Sequence, residues 1–137
     1  YFNLTGYHTA QEKGGLLFTP AIPAHYALDV ALDELIEETV AGRVKRYAAS
    51  AKFLRDEFKD MRLKFLLPEG WRSNCLTGLH LPQGMSYEKL HGELKANGFV
   101  IYAGQGNLSN SIFRIANMGD ITQDEFQRFI KVLRKIC

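Results

Sequence analysis

Phe99-Val100-Ile101-Tyr102-Ala103-Gly104-Gln105-Gly106, followed closely by Ile112-Phe113-Arg114-Ile115-Ala116-Asn117-Met118-Gly119-Asp120, is the part of this sequence on which the fold turns. Phe99 to Tyr102 and Ile112 to Ile115 have the length and the aromatic and β-branched content of short buried strands, and each runs into glycine-containing punctuation. Upstream, Ser86 is placed to cap a helix over Tyr87 to Asn97, with Gly98 as its left-handed stop. Leu63 to Leu67 and Leu76 to Leu81 read as two further strands. Downstream, Thr122-Gln123-Asp124-Glu125 is a capping box, and the helix it opens carries Phe126, Phe129, Ile130, Leu133 and Ile136 on one face.

Further upstream, Leu28, Leu32, Leu35, Ile36, Val40, Val44, Tyr47, Ala51, Leu54 and Phe58 recur at spacings of three and four, which predicts one buried face of a long helix bent near Gly42. Pro23 suits its first turn, and acidic residues crowd its first half as basic ones crowd its second. Residues 1–20, interrupted by Gly6, Gly14, Gly15 and Pro20, read as an irregular arm. The expected organisation is an arm (1–20), a long interdomain helix (21–60) and a small α+β domain (61–137). That domain is a small, mostly antiparallel sheet covered on one side by helices.

The chain has 137 residues, 46% of them hydrophobic and 12% aromatic, enough for a packed core. Lys+Arg 17 against Asp+Glu 15 leaves a net charge of +2, too weak a field for a nucleic-acid partner. No apolar run approaches the ~20 residues of a membrane span, and nothing resembles a signal peptide. Two cysteines, Cys75 and Cys137, make no disulfide framework, so a cytoplasmic setting with reduced thiols is expected. The sequence starts at Tyr1 without Met in a polar, glycine-containing stretch, which suggests a piece of something longer.

His8, His25, His80 and His91 are scattered without metal spacing, so no metal site is expected. Gly104-Gln105-Gly106 begins like a dinucleotide fingerprint, but Ser109 stands at the third glycine position, and a tight loop is the better reading. No GxSxG elbow is present, and neither cysteine has a base nearby in sequence. Arg114 is the informative residue, because a guanidinium inside an apolar strand needs an anionic or acceptor partner. A small organic acid, gripped by the planar fork, is one such partner. An internal salt bridge or a strand edge reaching solvent are the alternatives.

Glu12-Lys13-Gly14-Gly15, Phe18-Thr19-Pro20, the helix beginning Ala27-Leu28-Asp29, Gly98-Phe99-Val100-Ile101-Tyr102 and Phe113-Arg114-Ile115 occur in order and spacing. Together they resemble the C-terminal part of class V aminotransferases of pyridoxal-phosphate fold type I, over essentially the whole chain but less than half of a family chain. The nearest branch is the one acting on 2-aminoethylphosphonate and pyruvate. Alanine-glyoxylate or serine-pyruvate transaminases resemble the chain over the same segments. A free-standing α+β ligand-binding module, with Arg114 as the anchor of an effector carboxylate, is the competing class.

The resemblance implies that Arg114 binds the carboxylate of pyruvate or of the amino acid formed from it. It implies that Thr19 reaches across a homodimer interface to the phosphate of pyridoxal 5'-phosphate in the other subunit. On the residues alone Thr19 also fits a helix-entry cap. In the family the Schiff-base lysine and the aspartate at the ring nitrogen precede the segment matched here. Lys13, Lys45, Lys64 and Lys89 stand in no matching context, so this piece alone is expected to hold no cofactor and to be inactive. Ala116 stands where a glycine is more usual, and Pro20 follows Thr19 directly where some phosphonate-specific members carry an extra residue.

Overall fold

The computed structural model describes residues 2–137 and divides into two compact bodies, 2–40 and 41–137. Tyr1, the first residue of the expected arm, lies outside the described residues. The rest of that arm is not wholly irregular, since α1 spans Leu4–Glu12. Its start is chemical: the Asn3 side-chain oxygen accepts the Gly6 N–H at 3.1 Å. α2 spans Ile22–Glu38, with Pro23 in its first turn.

The single helix expected over 21–60 is two, α2 and α3 (Val40–Asp60), separated at Thr39 rather than bent near Gly42. Thr39 has φ 68° and ψ 151°, outside any helical conformation, whereas Gly42 stays helical within α3. An interior glycine costs a helix only about 1 kcal/mol, too little to break it by itself. The expected buried face is also only partly buried. Ala51, Leu54 and Phe58 are in the core, while Leu28, Leu32, Ile36, Val40 and Val44 are exposed.

The second body contains β1 (Leu76–His80), α4 (Tyr87–Ala96), β2 (Tyr102–Ala103), β3 (Ile112–Ala116) and α5 (Gln123–Ile136). The strands form an antiparallel sheet in the order β1-β3-β2. Leu79, Phe113 and Ile115 project from it into a core completed by Leu54 and Phe58 of α3, Leu90 and Leu94 of α4, and Phe126, Phe129, Ile130 and Leu133 of α5. Burying each such side chain is worth about 1.5–3 kcal/mol.

Both α4 and α5 begin where the sequence places them, with Ser86 and Thr122 as caps and the capping box complete. Gly98, at φ 84°, ends α4: its N–H bonds the Lys95 carbonyl, and the Phe99 N–H bonds that of Leu94.

Two expected strands are shorter than the sequence suggests. Between Leu63 and Leu67 only Phe65 bridges β1, at Leu79, flanked by the Leu66 N–H to Gly78 and the His80 N–H to Lys64 bonds. Arg62 leaves α3 at φ 57° and Pro68 closes the segment, so little chain is left to pair. In Phe99 to Tyr102 only Tyr102 joins the sheet. Phe99 is spent on the end of α4, and the Ile101 carbonyl accepts the Tyr87 hydroxyl at 2.9 Å.

Candidate functional site

β3 is the central strand, and its pleat sorts its residues between two faces. Phe113 and Ile115 enter the core, so Arg114 lies on the opposite face. Its register partners are Gly78 on β1 and Tyr102 on β2. Gly78 contributes no side chain, and Leu66 occupies that side, 3.3 Å from where a Cβ would stand.

The Arg114 Nε donates to the Ala103 carbonyl at 2.8 Å, its one hydrogen bond among the described residues. None of the ion pairs between described residues involves it. The guanidinium is half-buried, and neither terminal nitrogen is a buried atom lacking a partner. The fork is thus held through Nε, and its terminal N–H groups have no partner among the described residues. Of the alternatives open from sequence, neither a strand edge nor an internal salt bridge describes this arrangement.

Both ends of β3 are tied down. Ahead of it, Gly104-Gln105-Gly106 is the expected tight loop. The Gly104 N–H bonds the Ile112 carbonyl, and a Cβ at Gly104 would stand 2.4 Å from the Leu108 carbonyl oxygen. Behind it, buried Asn117 donates from Nδ2 to the Asn74 carbonyl at 2.9 Å and to the Tyr47 carbonyl at 3.3 Å. The Tyr47 hydroxyl accepts the Gly119 N–H, and Arg46 donates to the Gly119 carbonyl. Sequence reading gave Asn117 no role, because one asparagine after an apolar strand looks like an ordinary turn residue.

Thr19 lies in the first body, Arg114 in the second. Thr19 is exposed and its hydroxyl makes no hydrogen bond among the described residues. It is not the helix-entry cap: α2 has Ala21 at that position and no side-chain cap. Instead Thr19 lines a concavity of about 420 Å³ with Tyr7, Gln11, Leu17, Phe18 and His25. A free hydroxyl beside a concavity fits a phosphate oxygen in chemistry. Lys13, Lys45, Lys64 and Lys89 are all exposed, without the desolvation that activates an amine as a nucleophile. Among the described residues no His, Cys, Asp and Glu cluster could hold a metal, and no helix is long and apolar enough to cross a membrane.

No family model matches the chain. It is 36% identical over 121 residues to an uncharacterized aminotransferase of Methanocaldococcus jannaschii, covering 87% of this chain and 31% of that protein. It is 35% identical over 127 residues to a 2-aminoethylphosphonate–pyruvate transaminase of Bacillus mycoides, covering 91% of this chain and 34% of that protein. The chain therefore spans about a third of the length of these relatives. Its backbone superposes on an alanine–glyoxylate aminotransferase from Nostoc sp. with a TM-score of 0.87, over 98% of this chain and 36% of that one at 23% identity. By sequence and by backbone, the chain matches the C-terminal part of pyridoxal-phosphate aminotransferases of fold type I.

Proposed function

We propose that this chain is the C-terminal part of a pyridoxal-phosphate-dependent aminotransferase that moves an amino group between a 2-aminoethylphosphonate-like donor and pyruvate. One observation carries the reading: among the described residues Arg114 is anchored through Nε, with no ion-pair partner and both terminal nitrogens unbonded. A carboxylate accepts two parallel bonds from that fork, which sets the plane and direction of a bound keto acid or amino acid. Uncompensated positive charge at a half-buried site favours anions over neutral carbonyl compounds. The donor assignment is supported by the likeness to the 2-aminoethylphosphonate–pyruvate transaminase of Bacillus mycoides.

Thr19, whose hydroxyl has no partner among the described residues, is assigned to the cofactor phosphate of a second subunit in a homodimer. When bound, the cofactor supplies the electron sink for the transfer. Orientation of the acid falls to Arg114, and part of the hold on the phosphate to Thr19. The cysteines, unpaired here, suit a cytoplasmic enzyme.

In the intact enzyme, Arg114→Ala is expected to raise KM for pyruvate about 100-fold, the scale of two lost bonds to a charged group. Arg114→Lys recovers part of the loss. Unchanged KM in both variants rejects the role. Thr19→Val is expected to weaken cofactor retention with pyruvate KM unchanged. The 137 residues alone, mixed with pyridoxal phosphate and reduced with borohydride, leave no stoichiometric lysine adduct; finding one overturns the assignment of the covalent lysine to the rest of the enzyme.

A further inference from the structure

Tyr102 stands directly across the ladder from Arg114. In an antiparallel pair such partners carry their Cβ atoms about 5 Å apart on one face of the sheet. This is the face away from the core, and Tyr102 is 65% exposed on it. Its hydroxyl has no hydrogen-bond partner among the described residues. Gly78, directly across on β1, Ala116, two residues along β3, and Leu66 beside Gly78 carry no donor side chain; His80, paired with Ile112, lies one rung further along the same face. One rung of the sheet thus sets a guanidinium with two open nitrogens beside a phenol with an open O–H.

We propose that Tyr102 is a second substrate-binding residue of the Arg114 site, its hydroxyl donating to an oxygen of the same carboxylate; this rests on the reading of Arg114 above. A carboxylate offers about four lone-pair positions, of which a bidentate guanidinium takes two. The phenol approaches from the β2 side, where a position remains. The ligand class is a 2-oxo or 2-amino carboxylate, and the phenol adds a directional contact to the charge. Because both groups sit on paired strands, their separation is set by backbone hydrogen bonds rather than by a mobile loop.

The test uses the intact enzyme with Tyr102→Phe, Arg114→Ala and the double variant, read as KM and kcat for pyruvate. The exposed ring tolerates loss of its hydroxyl, and circular dichroism verifies that each variant is folded. Tyr102→Phe is expected to raise KM about tenfold, the scale of one bond to a charged acceptor, with kcat within about twofold. On the Arg114→Ala background the same change is expected to add less than about twofold, because the carboxylate is no longer held in place. If Arg114→Ala raises KM and Tyr102→Phe does not, the inference about Tyr102 falls and the reading of Arg114 stands. A tenfold effect that persists undiminished on the Arg114→Ala background also overturns it. If Arg114→Ala itself leaves KM unchanged, the underlying reading falls as well.

Discussion

α2 and α5 carry the same signal in sequence, apolar residues at spacings of three and four, yet they are used differently. α5 buries Phe126, Phe129, Ile130 and Leu133, whereas α2, three residues longer, buries none of its residues. The difference lies in what faces each helix. α5 meets a sheet whose Leu79, Phe113 and Ile115 project toward it, and a four-residue apolar stripe is enough to complete that core. α2 belongs to a body in which α1 also buries nothing, and Leu28 and Ile36 stay 57% and 74% exposed. Helical period measures what a face is able to bury; a second surface decides whether burial happens.

The widest contrast comes from truncating one residue in each body. Phe113→Ala, at a fully buried position, is expected to cost about 3–5 kcal/mol, and Leu28→Ala at most about 0.5, in denaturant unfolding of the 137 residues. Equal losses break the comparison. Hydrogen exchange sharpens it, with protection expected in α4 and α5 and fast exchange in α1 and α2.

Gly104→Ala is expected to cost about 1–3 kcal/mol. The new methyl meets the Leu108 carbonyl and Ile112, which is buried on the strand that carries Arg114. A variant as stable as the parent chain shows that the loop relaxes freely.

Next in size are the helix ends. α3 and α4 finish in the same pattern of two bonds, with Arg62 at φ 57° in one and Gly98 at φ 84° in the other. Arg62→Gly is expected to gain about 1 kcal/mol and Gly98→Ala to lose about as much, checked by thermal melting. Gains or losses of the same sign in both would refute the shared geometry.

The smallest effect concerns the start of α5. The Thr122 N–H, and then its hydroxyl, hold the Glu125 carboxyl below its ordinary value. A carboxyl lowered in the folded state adds stability above its unfolded value and loses it as pH falls through the folded one. The melting temperature is expected to drop as pH falls through and below the ordinary glutamate range, and Glu125→Gln to flatten that slope. An identical slope in the variant removes the charged capping box as its cause.

Local chemistry was legible where it acts within a few residues. Ser86, Gly98 and the Thr122 capping box mark their helices because caps need only neighbouring backbone groups. The α1 helix is not legible in the sequence, where Gly6, Gly14, Gly15 and Pro20 suggest interruption, while one Asn3 bond suffices to open it. The strand over Leu63 to Leu67 was overread, because β propensity says nothing about how much partner strand lies alongside. At the site, Arg114 stood out as a charge in an apolar run, but Asn117 and Tyr102 carry no signal until distant segments are paired.

By itself, then, the sequence determined the α+β class and the caps, and it singled out Arg114 and Thr19 as candidates through motif resemblance. Tertiary structure alone decided that Arg114 sits on the central strand with a backbone carbonyl and, among the described residues, no acid for a partner, and that Tyr102 shares its rung. It also decided which half of a continuous apolar pattern is buried. Register and burial depend on residues far apart in the chain, and no local pattern encodes which segments will meet.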